Sequence, residues 1–168
     1  MMDLITNFIL SAVASMGFAV FFNIPKKAVP LVGITGGSGW VLSVIMIRFN
    51  LGSAWAYFIA SILVSFLAEI FARKTHNPST LFSIPGIYPL VPGYGLYKTM
   101  YHFTGGEVSQ GVTSLLWTLT NSGAIAVGII TMSSIWGINK KLKLKKDSRQ
   151  STRRSNDITE DSLDKMFE

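Results

Sequence analysis

The sequence contains no cysteine, which removes disulfides and thiolate chemistry from any account of it. Charge is nearly as scarce over most of its length. Residues 1–138 carry six Lys or Arg and three Asp or Glu, whereas the last thirty carry nine and six. A soluble chain of 168 residues needs charge on every exposed face, so composition excludes an ordinary soluble globule and points to a membrane protein with a charged tail. Its two histidines, His76 and His102, stand apart. No metal-ligand set accompanies them, and no Ser/His/Asp or paired-carboxylate arrangement can be assembled at membrane depth. No catalytic residues, metal or cofactor are expected, and the chain is not read as an enzyme. The N-terminus MMDLITNFIL has an acid where a signal peptide has its basic region, so the first apolar stretch is expected to be retained. The net charge of +6 is concentrated beside the last apolar run, so it is not a nucleic-acid signal.

A bilayer crossing needs about 20 apolar residues. Windows of that kind lie at 4–22, 29–47, 54–72 and 111–136, and an interrupted candidate lies at 80–103. Short polar breaks separate them: NIPKK, RFNLGS, RKTHNPS and TGGEVSQ. The expected fold is an all-α membrane protein with five transmembrane helices, the fourth interrupted by a Pro/Gly motif. Charge parity supports the fifth crossing, because cytoplasmic loops are enriched in Lys and Arg. With five crossings, Lys26, Lys27, Arg73, Lys74 and the tail cations share one side, leaving Arg48 and Lys98 at or near the other. The N-terminus is then outside and the C-terminus cytoplasmic, in the cell membrane.

Residues 1–138 form the expected transmembrane domain, and 139–168 a charged cytoplasmic tail, disordered at its end. Within the tail, 140–154 holds eight Lys or Arg against one Asp, and 155–168 holds five acids against one Lys. A juxtamembrane basic cluster attracts anionic lipid and fixes orientation. A regulatory use is open, but nothing in the tail demands it.

The interruption reads SIPGIYPLVPG, residues 83–93. Proline lacks an N–H and clashes with the carbonyl four residues back. Pro85, Pro89 and Pro92 are therefore expected to deprive the carbonyls of Leu81, Pro85 and Tyr88 of helical donors, and Gly86 and Gly93 let the chain turn. Unpaired backbone at membrane depth is tolerated where it is buried in protein or lines a watery cavity, and transporters use such segments to hold ions and anionic substrates. A purely structural kink is the competing reading. Tyr88, inside the motif, and Tyr94, just after it, are candidate substrate contacts. Asn121, within TLTNSG, needs a partner at mid-span, either another helix or the substrate.

Gly33 and Gly37, in GITGGSGW, fit close helix packing, as does Gly123; the stretch lacks the Lys-Ser/Thr of a phosphate loop. Glu69, the one acid inside an expected span, sits four residues before Arg73. That spacing suits an interfacial ion pair, or else proton coupling or gating. The tryptophans and remaining tyrosines read as interfacial anchors.

Three stretches then align with one family. FAVFFNIPKKAV (18–29), IPGIYPLVPGYGLYKTM (84–100) and LTNSGAIAVG (119–128) resemble, in order, the first junction, the proline-glycine motif and the last-helix start of the threonine/serine exporters. The similarity runs over about 12–141 and is of the small-subunit, or C-terminal-half, type. The resemblance implies export of threonine, serine or a related small carboxylate by a hetero-oligomer. Its second member would be a larger membrane subunit, separate or fused. The long charged tail departs from that pattern. With no ATP-binding motif, energy would come from an ion gradient, through Glu69 or through the partner. The alternative is a scaffold membrane protein that moves no solute.

Overall fold

The computed structural model describes the backbone of residues 2–167 and the side chains of 3–137. Six α-helices follow in order: α1 Met2–Phe21, α2 Val29–Arg48, α3 Ser53–Thr75, α4 Thr80–Ile87, α5 Gly93–Thr104 and α6 Val108–Phe167, with a 3₁₀ turn, Tyr88–Leu90, between α4 and α5. Residues Met1–Met132 form one compact unit and Ser133–Glu168 a second. The second unit contains the rest of α6, and the charged-tail and lipid expectations for 139–168 rest on side chains outside those described.

Each polar break predicted above contains a residue in the left-handed conformation: Asn23, Asn50, His76 and Gly106. At three of them the chain closes with the same pair of bonds. Ile24 N–H reaches Ala19 O and Asn23 N–H reaches Val20 O; Leu51 and Asn50 do likewise to Met46 and Ile47, and Glu107 and Gly106 to His102 and Phe103. This is the Schellman arrangement, which satisfies carbonyls left over at a helix end. At the fourth, His76 and Asn77 both donate to Ala72 O, and Pro78 prevents the helix from resuming.

The four long helices are apolar enough to cross a membrane: Asp3–Phe21, Val29–Arg48, Ser53–Thr75 and Val108–Gly137. The fifth expected crossing is not one such helix. It is divided into α4, of 8 residues, and α5, of 12, each too short to span hydrocarbon alone.

Within the first unit α1 and α2 pack closely. A Cβ on Gly33 would lie 2.9 Å from Met16 Cγ, and one on Gly37 2.8 Å from Phe8 Cε2, so side-chain-free positions on α2 let the helices approach. Arg48 Nη2 lies 3.9 Å from Asp3 Oδ2, and Trp40 Nε1 donates to Asn7 Oδ1 at 3.3 Å. These contacts bring the start of α1 to the end of α2. The broken segment is packed against α1, α2 and α3 and anchored by two fully buried side chains. Phe82 sits among Ala19, Val32, Ala68 and Ala72; Leu90 sits among Tyr57, Ala60, Val64 and Ile125. The remaining interior is made mostly of Gly, Ala, Ser and Thr.

Candidate functional site: the helix break and the face of α6 beside it

Pro85 does not stop its helix. It lies inside α4 and is buried, and Gly86 beside it admits its neighbours. A Cβ on Gly86 would meet Thr35 Cγ2 at 2.9 Å and Val64 Cγ1 at 3.3 Å. The backbone leaves the helix later, at Val91 (φ −58°, ψ 124°) and Pro92 (φ −75°, ψ 61°). Pro92 has the dihedrals of an inverse γ-turn, closed by Gly93 N–H to Val91 O at 2.7 Å. Pro89 opens the 3₁₀ turn, where a missing N–H costs least.

The break corrects one expectation. Tyr88 O is not orphaned, because the 3₁₀ turn brings Val91 N–H to it at 3.2 Å; Pro92 O likewise accepts from Leu96 N–H. The groups left over lie elsewhere. Among the described residues, no backbone donor reaches the carbonyls of Pro89 and Leu90, and the N–H groups of Tyr94 and Gly95 in the first turn of α5 have no backbone acceptor. The break therefore carries acceptors on one lip and donors on the other.

α6 turns a buried face to this region, formed by Thr118, Asn121, Ile125 and Met132 at helical spacing. Thr118 Oγ1 is directly opposite Gly95, and Ile125 packs in the Leu90 cluster. Asn121, between them on the same face, is thereby level with the Val91–Gly93 break. It is 1% exposed, and both atoms of its carboxamide lack a hydrogen-bond partner. A buried amide left in that state is costly unless a ligand or partner completes it. Further along α6, Gly128 lies against Ser61 and 2.8 Å (as a built Cβ) from Phe58 O.

The other predicted residues are distributed as follows. Tyr88 and Tyr94 do not share a wall: Tyr88 stacks on Phe18 of α1, ring centroids 3.2 Å apart, while Tyr94 is largely exposed on α5. Gly93 is exposed at the start of α5. Glu69 is half-buried and Arg73 exposed on α3, beside Ala68 and Ala72, which pack around Phe82. They lie at the level of α4, away from the break. Gly33 and Gly37 are occupied by α1, whereas a Cβ on Gly123 would meet nothing within 4 Å. Among the described residues Gly123 makes no close helix contact.

Two features escaped the sequence reading. His102, taken there as a lone histidine, is buried with Nδ1 2.7 Å from Glu107 Oε2. The pairing is made by the turn through Gly106, which folds Glu107 back over the end of α5. Ser15, on α1, is fully buried with its hydroxyl unpartnered, against Gly36. Among the described residues no three His, Asp or Glu come together as a metal site.

A protein of Haemophilus influenzae described as uncharacterized is 26% identical over 137 residues, which cover 77% of this chain and 46% of that protein. The chain thus spans about half the length of this relative. No solved structure matches. Residues 7–135 match the family described as Threonine/Serine exporter, ThrE, and over most of its length the chain belongs to that exporter family.

Proposed function

We propose that the chain is the small subunit of a two-component secondary exporter for threonine, serine or a related small carboxylate, and that its substrate passes the break between α4 and α5. The observation that carries this reading is the pairing of unmet acceptors at Pro89 and Leu90 with unmet donors at Tyr94 and Gly95, beside the unpartnered carboxamide of Asn121. An amino acid offers an ammonium to the first group and a carboxylate to the second. Broken helices in transporters bind solutes through such backbone groups.

Five crossings follow if α4 and α5 together complete one span. The outer side then holds two cations from the described residues, Arg48 and Lys98, and Arg48 is paired with Asp3. Lys26, Lys27, Arg73 and Lys74 fall on the cytoplasmic side with the basic run of 140–154, where anionic lipid is the natural counter-surface. Glu69 and Arg73 remain the candidates for coupling or gating. The larger subunit of this family supplies the rest of the pathway. A relative about twice as long as this chain fits the fused form of the same pair.

The test is intracellular threonine retention in cells that lack their own exporters, loaded with a threonine-containing dipeptide. Expressing the chain with its larger subunit should lower retained threonine, and either chain alone should not. Full export by this chain alone would reject the two-chain arrangement. A pair that assembles but leaves threonine, serine and small dicarboxylates inside the cell would support the scaffold reading instead.

A further inference from the structure

We infer that the hollow between α5 and α6 is a binding site for the carboxylate of a small amino acid, with Lys98 as the group that holds it. This rests on the export reading and refines it, by moving carboxylate recognition from backbone alone to a side chain that the sequence reading used only for topology.

The hollow has a volume of about 300 Å³ and is lined by Tyr94, Gly95 and Lys98 of α5 and Thr113, Ser114 and Trp117 of α6. That is the lower end of the range for ligand pockets, a size for a small metabolite and not for an acyl chain. Gly95 allows it to form. A side chain there would overlap Thr118 Oγ1 and approach Trp117 Cζ3 at 3.0 Å, so the glycine brings α5 onto α6 and leaves the hollow beside the contact.

Charge decides what the hollow takes. Lys98 has no anionic partner among the described residues. Between Glu69 and Asp147 the sequence contains one acid, Glu107, and its carboxylate is engaged by His102. A second hollow, of about 210 Å³, shares Tyr94 and Lys98 as walls and includes His102, whose Nδ1 is hydrogen-bonded to Glu107 Oε2, so Glu107 is directed to His102 and not to Lys98. Lys98 is exposed at the edge of the hollow, and an ammonium there without a counter-ion favours an anion from outside the chain.

The remaining walls suit an amino acid. The Thr113 hydroxyl is used by Ser109 O, but the Ser114 hydroxyl has no partner among the described residues and can join Lys98 at a carboxylate. Tyr94 and Gly95 bring the start of α5 to the same wall, where backbone N–H groups are free and the helix end is positive. The rings of Trp117 and Tyr94, which line the hollow, offer apolar surface to the substrate's side chain.

The test uses the full-length chain in nanodiscs of phosphatidylcholine, with L-threonine as probe and L-threoninamide as the analogue lacking a carboxylate. L-threonine should bind saturably and L-threoninamide should not compete. Lys98→Gln should weaken binding by about tenfold or more, the loss expected for one charge-assisted hydrogen bond, while Lys98→Arg retains it. Unchanged affinity in Lys98→Gln, with native size-exclusion behaviour, would overturn the site. Phosphatidylglycerol displacing threonine only when Lys98 is present, with no effect of Lys98→Gln in phosphatidylcholine, would also overturn it, in favour of a lipid-headgroup contact. If Lys98→Gln does not fold, Ser114→Val and Trp117→Leu carry the same comparison, and parental affinity in both overturns the site. The two readings fail separately. Export by the assembled pair at the parental rate in Lys98→Gln removes the site and leaves the function. Succinate binding that needs Lys98, without threonine binding, keeps the carboxylate site and removes threonine as its solute.

Discussion

Gly95 of α5 and Thr118 of α6 are in such close contact that no side chain fits at position 95: a Cβ there would overlap the threonine hydroxyl. Thr118 is itself fixed, since its hydroxyl donates to Ser114 O at 2.7 Å. The contact joins the half-helix after the break to the last long helix.

Gly95→Val is therefore predicted to destabilise the docking of α5 by about 1–3 kcal/mol, the usual cost of overpacking. Gly93→Ala, two residues earlier, meets nothing within 4 Å and should be close to neutral. Thermal unfolding of the two variants in detergent checks this. Equal midpoints for both would mean that α5 does not rest on α6 as described.

Replacing Pro89 and Pro92 together by Ala restores two backbone N–H groups. The one at 89 can reach Pro85 O and the one at 92 can reach Tyr88 O, allowing α4 to run into α5. Neither proline lies inside a helix, but each restored N–H gains a carbonyl partner if the helix closes, so the variant should fold about as well as the parent. Export should fall by about tenfold or more, as expected if one or two charge-assisted bonds to the substrate are lost. A variant that folds and exports like the parent would fit a break that only bends the chain.

Asn121→Leu keeps similar volume and removes a buried amide whose donor and acceptor are both unpartnered. Leaving such groups unmet costs about 1–3 kcal/mol, so the substitution should raise stability by an amount of that order and lower export. Loss of assembly with the larger subunit, measured by co-purification, would instead assign the amide to a helix interface between the chains. Gly123→Leu provides the comparison. Position 123 is open within this chain, so a folded variant that no longer co-purifies would locate the partner there.

A reporter placed after Phe103 and another at the C-terminus should report opposite sides of the membrane. Both in the cytoplasm would mean that α4 and α5 do not complete a crossing together, and the orientation proposed here would fall with it.

The helix boundaries were legible because each break needed a residue tolerant of positive φ, and Asn23, Asn50, His76 and Gly106 supply it. The location of the interruption was legible only in part. Proline count pointed to the whole of 83–93, yet Pro85 remains helical because Phe82 and Leu90, packed on either side, hold α4 and the 3₁₀ turn against α2 and α3. The rescue of Tyr88 O by Val91 could not be read from residue types, since it depends on the chain tightening to a 3₁₀ turn. His102 and Glu107 are five residues apart, a spacing that no straight helix brings together; the left-handed Gly106 does so. Lys98 was visible as a charge, but its cavity arises from Gly95 meeting α6, a contact between segments that sequence periodicity does not pair.

α5 is bounded by the γ-turn at Pro92 on one side and by Gly105 and Gly106 on the other, and it makes no extensive contact with α1, α2 or α3. Mechanically it is a stiff rod of about 18 Å, at 1.5 Å per residue, with a joint at each end. A tilt of this rod against the body built from α1 to α4 would have to shift the Gly95–Thr118 contact with α6, and it would change which side Lys98 and Tyr94 face. Because the native chain has no cysteine, a single pair of labels, one on the rod and one on α2, reports that movement without background.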